Sequence, residues 1–349
     1  MYDFKDVKYV HVEPTELCQA GCPMCIRFKG NGELNRNLTN ASLSLEQVKN
    51  IFPPEKLENI DSFLFCGNFG DPALTPDLLE ICEYLYPHVS WINVITNGGV
   101  RKPEWWAKLA KVTTKVTFSV DGLEDTNHIY RVGVVWEKVE ENMFAYNAAG
   151  GYSDWTFLVF KHNQHQVEEA RRMSELLGCA TFTPKKSARW IIGEDVVKVR
   201  NNVTKKKNHL IYPPTDENWI NDGVKQVNKA KEDYGSLENM YMNIPIKPKC
   251  LDKSKIYLGA TGLVAPCCWI AAGIFDRVKK AEETVIGKVL HKQFGGLDSL
   301  NANLHPIENI IEGDFFKYIE DGWTNPCTRF ATCGKNCGAK YNAHDAQWD

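Results

Sequence analysis

Three cysteines near the start of the chain, Cys18, Cys22 and Cys25, are spaced as C-x3-C-x2-C. Thiolates hold iron–sulfur cubanes, and a cubane with a complete protein shell needs four of them. Three cysteines in one loop leave one iron open, and an open iron can bind a small molecule through oxygen and nitrogen. The alternatives are a zinc site or buried core cysteines. Zinc sites usually carry paired C-x2-C units, which this loop lacks, so the spacing favours a cluster.

The elements that must position this loop follow an alternating pattern in the first half of the chain. Strands are predicted at 7–12, 61–66, 91–96, 115–120, 155–160 and 180–183, and helices at 45–52, 76–86, 103–110, 136–148 and 164–177. Ser44 is a plausible N-cap and Gly178 a C′ residue. Successive strand–helix pairs imply parallel strands with right-handed crossovers. We therefore predict an α/β fold, a partial (β/α)6 TIM-like barrel, whose ligands sit at the carboxyl ends of the strands, where the cysteine loop falls.

The composition is that of an ordinary globular enzyme. The chain has 349 residues, 43% hydrophobic and 24% charged, with a net charge of −3. This charge gives no general attraction to nucleic acid or acidic membranes, and no apolar run approaches a membrane span. The first residues lack the apolar core of a signal peptide, so we expect a cytoplasmic protein. The 12 cysteines are then better explained by metal ligation than by disulfides. Cys66, Cys82 and Cys179 lie inside apolar patterns and are expected to be structural.

Three further motifs follow the second, third and fourth predicted strands. They are Gly67-Asn68-Phe69-Gly70-Asp71-Pro72, then Thr96-Asn97-Gly98, then Ser119-Val120-Asp121-Gly122 with Arg131 further on. Each motif by itself is only a turn signal. In this order, behind the cysteine loop, they resemble the radical S-adenosylmethionine (radical SAM) superfamily over roughly residues 8 to 190.

The resemblance implies a role for each matching residue. In the superfamily the open iron chelates the amino and carboxylate groups of SAM. Phe69, Gly70 and Asp71 would meet the amino group, although Phe69 replaces a glycine and Asp71 a glutamate of the family motif. The resemblance implies that Met24 lies beside the adenine and that Ser119 and Arg131 contact the carboxylate. Thr96 and Asn97 are also expected to bind the cofactor. The alternative for Arg131 is a surface ion pair with Glu124 or Asp125.

Six cysteines lie in the last hundred residues: Cys250, Cys267, Cys268, Cys327, Cys333 and Cys337. The pattern Gly262-x4-Cys267 and the run Cys327-x5-Cys333-x3-Cys337 resemble the auxiliary-cluster extension called SPASM, or its shortened form, twitch. Thr324 stands where the full pattern has a cysteine, and no cysteine follows Cys337. The resemblance therefore implies one auxiliary 4Fe–4S cluster, with ligands drawn from Cys250, Cys267, Cys327, Cys333 and Cys337 and with Cys268 in reserve. A structural zinc site is the competing interpretation.

Three regions are expected from these patterns. Residues 1–190 would form the radical SAM barrel, 191–246 a linker with local helix, and 247–349 the auxiliary-cluster domain. The basic run Lys205–Lys207 in the linker is interpreted as a solvated face rather than a nucleic-acid site.

The resemblance implies a radical SAM oxidoreductase or maturase. It would cleave SAM reductively to a 5′-deoxyadenosyl radical, which abstracts a substrate hydrogen atom, and it would need a reductant such as flavodoxin or ferredoxin. The preferred substrate is a peptide or protein side chain; a cyclitol, amino sugar or nucleotide is the second choice. An iron–sulfur electron-transfer or scaffold protein is the alternative of another class. No catalytic acid or base is assigned, although Glu13, Lys161, His162 and Arg189 are expected at the barrel mouth.

Overall fold

A computed structural model of the chain describes residues 3–29, 32–190, 197–199 and 209–341. The strands within these ranges are β1 Tyr9–Val12, β2 Ser62–Phe65, β3 Trp91–Thr96, β4 Lys115–Ser119, β5 Ser153–Val159, β6 Thr181–Lys186, β7 Val197–Val199, β8 His209–Ile211, β9 Lys255–Leu258 and β10 Val264–Ala265. The helices are α1 Leu45–Ile51, α2 Pro54–Leu57, α3 Leu78–Leu85, α4 Pro103–Leu109, α5 Asn127–Tyr130, α6 Trp136–Ala148, α7 Val167–Leu176, α8 Gly223–Tyr234, α9 Leu237–Asn243, α10 Lys249–Asp252, α11 Cys268–Ile274, α12 Val285–Gln293, α13 Ile307–Ile311, α14 Asp314–Thr324 and α15 Ala331–Cys337.

One eight-stranded sheet organises the chain, in the order β10-β9-β1-β2-β3-β4-β5-β6. Strands β1 to β6 each run parallel to their neighbours, which confirms the predicted α/β partial barrel. The C-terminal part of the chain contributes to the same sheet: β9 pairs parallel with β1, with Tyr9 opposite Lys255, and β10 closes antiparallel on β9. The sequence patterns did not predict this continuation.

The sheet has one packed face and one partly open face. In β1, Val10 and Val12 are buried while Tyr9 and His11 are half-buried, and β5 shows the same alternation. Successive side chains of a strand point to opposite faces. One face therefore belongs to the hydrophobic core, and the other presents polar side chains such as His11 to a partly accessible interior.

Local signals explain most element boundaries. Ser44 caps α1 in a capping box with Gln47, and Gly178 adopts a φ of 77° just after α7, as predicted. The helix predicted at 76–86 begins at Leu78. Strand β6 extends beyond its predicted end and includes Pro184. Proline is tolerated there because β6 is the last strand of the sheet.

The segment predicted as a linker contains two helices, α8 and α9. Helix α9 packs against α15, near the end of the described chain. The basic run Lys205–Lys207 lies outside the described residues. Within the described ranges, no helix combines the length and apolar character that crossing a bilayer requires.

Candidate functional site

The cysteine loop follows β1 at the carboxyl end of the sheet, and the thiols of Cys18, Cys22 and Cys25 are half-buried. Burial raises the pKa of the Cys22 thiol to about 11, and the nearby Arg131 guanidinium opposes that rise. Burial also raises the pKa of Cys25, where the positive charge of Arg189 acts in the opposite direction. Buried thiols ionise only when positive charge or a metal compensates them. The loop thus places three sulfur donors in one short segment, beside cations that favour their thiolate forms.

Arg27 anchors the exit of the cysteine loop. It is buried, and its Nη1 donates to the carbonyl of Phe69 at 3.0 Å and to the carbonyl of Glu16. These bonds connect the loop to the turn after β2. Sequence reasoning missed Arg27, since an arginine two residues after a cysteine is no signal by itself.

Asp71 joins the turns that follow β2 and β3. Its Oδ1 accepts from the Thr96 hydroxyl at 2.7 Å, and its Oδ2 accepts from the backbone N–H of Asn97 at 2.8 Å. The Gln19 amide donates to Asn97 Oδ1 at 2.7 Å, and Asn97 Nδ2 lies 4.0 Å from Cys18 Sγ. The structure therefore brings three predicted residues together at the cysteine loop, and adds Gln19, which was not predicted.

Arg131 points at the cysteine loop from the segment after β4. Its Nε donates to Asp121 Oδ2 at 2.7 Å, and its Nη1 lies 4.0 Å from Cys22 Sγ. The Asp121 side chain is 1% exposed and the Arg131 side chain 20%, so this ion pair is largely buried. The partner of Arg131 is thus neither Glu124 nor Asp125, and the surface ion pair considered above is wrong. Ser119, at the end of β4, lies on the same edge, with its Oγ 3.4 Å from Thr156 Oγ1.

An aromatic cluster borders the cysteine loop. Tyr130, Phe160 and Trp190 form its buried centre together with Ile211, and Met24 packs against it half-buried. Met24 adopts a φ of 62°, a left-handed conformation that non-glycine residues rarely take. Such strain is characteristic of ligand-binding loops. Met24 packs against the aromatic cluster, which is called the aromatic wall below.

Two buried donors at this wall lack partners. Among the described residues, no acceptor reaches Arg189 Nη1 or Trp190 Nε1, although both atoms are buried. The Arg189 guanidinium lies 5.3 Å from the centre of the Tyr130 ring. Leaving a buried donor unsatisfied costs about 1–3 kcal/mol. The wall is therefore suited to a ligand that supplies acceptor atoms and negative charge.

Glu13 lies at the end of β1 and is 1% exposed. Its Oε1 accepts from the backbone N–H groups of Phe69 at 2.5 Å and Gly70 at 3.1 Å. Its Oε2 accepts from the Tyr257 hydroxyl at 2.5 Å. Burial raises the pKa of Glu13 to about 7, against the lowering effect of these bonds. Glu13 is therefore a buried residue that supports the site, and not an exposed charged residue at the barrel mouth.

The C-terminal cysteines separate into distinct environments. Cys250, Cys267 and Cys337 are buried and Cys333 is half-buried, whereas Cys327 is exposed. Burial raises the pKa of Cys333 to about 12, and the nearby thiols of Cys337 and Cys250 raise it further. Burial also raises the pKa of Cys267, and the neighbouring thiols of Cys268, Cys250 and Cys333 raise it further. Four of the five predicted thiols thus form one group, and Cys327 has a different environment.

The Cys268 thiol lies near Lys255 and Glu13 as well as near Cys267. Burial raises its pKa to about 11, Lys255 opposes the rise and Glu13 adds to it. Its carbonyl accepts from Asn68 Nδ2 at 3.3 Å. Cys268 therefore lies between the C-terminal thiol group and the β1–β2 side of the barrel.

The remaining candidates have ordinary surroundings. Lys161 packs over the Tyr212 ring at 5.3 Å, and His162 stacks on Phe160 with ring centres 5.3 Å apart. Cys82 is buried in the core, and Cys179 accepts a hydrogen bond from the Asn147 amide at 3.6 Å.

Comparison with known proteins agrees with this geometry. Residues 12–173 match the family model described as the Radical SAM superfamily. Over 173 residues the chain is 27% identical to the mycofactocin maturase MftC of Mycobacterium ulcerans (strain Agy99). That match covers 48% of this chain and 44% of MftC, so less than half of the relative's length is represented.

Solved structures share the overall fold. SuiB of Streptococcus suis, bound to S-adenosylmethionine, matches with a TM-score of 0.50 and 14% identity, covering 94% of this chain and 77% of SuiB. Native anSMEcpe, with bound AdoMet (S-adenosylmethionine) and the Cp18Cys peptide, matches with a TM-score of 0.53 and 14% identity. That match covers 97% of this chain and 94% of anSMEcpe. At such low identity these matches establish the fold alone.

Proposed function

We propose that this protein is a radical SAM enzyme that binds a 4Fe–4S cluster through Cys18, Cys22 and Cys25 and binds SAM at the open iron. The observation that supports this most strongly is the buried Asp121–Arg131 pair, whose guanidinium lies 4.0 Å from Cys22 Sγ. An arginine held beside a cysteine loop suits a carboxylate bound at that loop, because guanidinium forms paired charge-assisted hydrogen bonds with carboxylates.

The chemistry of the donor set suits an iron–sulfur cluster. Cys18, Cys22 and Cys25 lie in one loop, and thiolates are the ligands that hold cubanes. Their C-x3-C-x2-C spacing lacks the paired C-x2-C units that are usual in zinc sites. Three thiolates would hold three irons of a cubane and leave the fourth open for SAM.

The residues of this chain supply position, charge and exclusion of water. When bound, the cluster and SAM provide a 5′-deoxyadenosyl radical that abstracts a hydrogen atom from substrate carbon. Asp121 orients Arg131 toward the SAM carboxylate, with Ser119 on the same edge. Met24 and the aromatic cluster form an apolar wall for the adenine, and Asp71 fixes Thr96 and Asn97 beside the loop.

The auxiliary 4Fe–4S cluster is proposed to be held by Cys250, Cys267, Cys333 and Cys337. Cys333 and Cys337 are four residues apart in and at the end of α15, so they share one helix face. Four protein thiolates leave no open iron, so this cluster would accept or relay an electron rather than bind substrate. The exposed Cys327 is left out of the set, and the auxiliary-cluster region is proposed to begin near residue 247.

The proposed substrate is a side chain of a peptide or protein. The relative MftC is a maturase, and anSMEcpe binds a peptide in its crystal structure. The open, polar face of the sheet, to which β1 and β5 contribute half-buried side chains, provides an interior for such a segment. The electron is proposed to come from a flavodoxin or ferredoxin.

The test is anaerobic reconstitution with iron and sulfide, followed by reduction with dithionite in the presence of SAM. We expect 5′-deoxyadenosine and methionine to form in equal amounts, and the Cys22→Ala variant to form neither. A wild-type protein that carries its clusters but yields no 5′-deoxyadenosine would instead favour an electron-transfer protein. A short precursor-peptide gene beside this gene would support the peptide substrate.

A further inference from the structure

Glu13 joins three segments of the fold at one buried carboxylate. It ends β1, accepts from two consecutive N–H groups of the turn after β2, and accepts from Tyr257 of β9. β9 belongs to the C-terminal part of the chain, 244 residues away in sequence. One side chain therefore connects the turn that resembles the SAM amino-group motif with a strand outside residues 12–173, which match the family model.

The turn is clamped from both sides. In a trans peptide the N–H and the preceding carbonyl point in opposite directions, so the carbonyls of Asn68 and Phe69 face away from Glu13. The Phe69 carbonyl accepts from Arg27 at 3.0 Å on that side. A Cβ at Gly70 would overlap the carbonyl oxygen of Thr15, so the backbone fits closely there. This turn therefore presents its carbonyls in one orientation, which is what recognition of an ammonium group needs.

Glu13 is the group that holds this orientation. A glutamine at this position keeps only one oxygen and places an NH2 group either against the N–H groups of Phe69 and Gly70 or against the Tyr257 hydroxyl. One of these contacts is then lost or reversed, and the hold on the turn is weakened. Tyr257 is fully buried and donates to the second carboxylate oxygen, so the side chain of Glu13 cannot turn freely. The position of the turn thus depends on β9.

We propose that Glu13 is a positioning residue for the amino group of SAM, and that Tyr257 makes this positioning depend on the docked C-terminal strand β9. The inference rests on the proposed function, because it presumes that SAM binds at the cysteine loop. It predicts that the C-terminal part contributes to SAM affinity without touching SAM.

The experiment measures SAM binding by equilibrium dialysis to the reconstituted full-length protein. The Glu13→Gln variant should bind SAM about tenfold more weakly, equivalent to about 1.4 kcal/mol. Its affinity for the deaminated analogue, which lacks only the amino group, should stay within about twofold of wild type. If Glu13 had a purely structural role, the variant would bind SAM and the analogue more weakly by the same factor, and that result would overturn the proposal.

Two further variants keep the test decisive if Glu13→Gln does not fold. Tyr257→Phe removes one hydroxyl and should lower SAM affinity about threefold, again without affecting the analogue. Tyr84→Phe is its matched control, because the Tyr84 hydroxyl donates to Phe52 at 2.8 Å in a different part of the core. Equal SAM affinity in wild type, Glu13→Gln and Tyr257→Phe would also overturn the proposal.

A matched carboxylate control is available in the same segment. Glu16 is buried and accepts from the backbone N–H groups of Thr39 at 2.7 Å and Ala41 at 3.1 Å. Glu16→Gln should leave the ratio of SAM affinity to analogue affinity unchanged; a change equal to that of Glu13→Gln would contradict the assignment. If wild-type protein with intact clusters binds no SAM, the proposed function fails first, and the two failures are thereby distinguished.

Discussion

Arg131 and Asp121 form a buried ion pair with 2.7 Å between Nε and Oδ2. The opposite edge of the guanidinium faces the cysteine loop, where Nη1 lies 4.0 Å from Cys22 Sγ. A buried ion pair contributes little net stability, since desolvation offsets the attraction between the charges. Its value here is orientation: one edge of the arginine is occupied, and the other is directed at the site where a cofactor carboxylate is proposed to bind.

Asp121→Asn should weaken SAM binding about tenfold, because Arg131 loses its charged partner and its fixed orientation. Equilibrium dialysis on the reconstituted protein measures the effect. Asp154→Asn is the matched control. Asp154 pairs with Lys115 near the first residues of β4 and β5, at the edge of the sheet away from the cysteine loop. Unchanged SAM affinity in Asp121→Asn would contradict the role given to Arg131.

Replacing Cys18, Cys22 and Cys25 together with alanine should remove about half of the bound iron, because the proposed second cluster would keep its own ligands. Iron and sulfide analysis after anaerobic reconstitution measures the loss. Iron content equal to that of wild type would show that the N-terminal loop binds no cluster.

Cys337→Ala should also remove about half of the iron, whereas Cys327→Ala should retain it, because only Cys337 lies with the buried thiols. The two variants are matched, since each removes one thiol from the same C-terminal run. Equal iron loss in both variants would show that Cys327 is also a ligand of the cluster.

Stability should depend on pH through Glu13. Its pKa is raised from 4.5 to about 7 by burial, so the folded protein retains a proton that the unfolded chain has lost. The contribution of Glu13 to stability is therefore fully present below about pH 4.5 and falls as the pH rises toward 7, by on the order of 3 kcal/mol.

The difference in melting temperature between wild type and Glu13→Gln, measured between about pH 5 and 8, isolates this effect. Tyr257, Cys66 and Cys268 also face this carboxyl group, but they titrate in both proteins and largely cancel. As the pH rises to about 7, the wild type should lose stability relative to the variant. Above about pH 7 the difference between the two proteins should stay constant. A difference that does not vary with pH would refute the raised pKa.

Arg329→Lys should lower the free energy of unfolding by about 2–3 kcal/mol, because Arg329 is buried and donates to four backbone carbonyls. These carbonyls lie at the ends of α9 and α14, which frame the C-terminal cysteines. A lysine cannot reach all of them with one ammonium group. Arg171→Lys, on an exposed surface, is the control for thermal melting, and equal melting temperatures in both variants would disprove the role of Arg329.

The sequence alone determined the repeating strand–helix order and the position of each motif at a strand end. The strand β3 and the helix α6 match their predicted bounds. This succeeded because hydrophobic periodicity, capping residues and turn glycines are local properties that adjacent residues encode. The C-x3-C-x2-C spacing predicts a cluster loop for the same reason.

Only the tertiary structure decided which distant residues meet. It paired Arg131 with Asp121 rather than with Glu124, and it joined Glu13 to Tyr257. It also placed the Cys268 thiol near Glu13 and Lys255 of the barrel strands as well as beside Cys267. Such contacts depend on register, on side-chain direction and on how β9 docks beside β1. Local patterns carry none of this information, since contacts between distant segments form only when the whole chain packs.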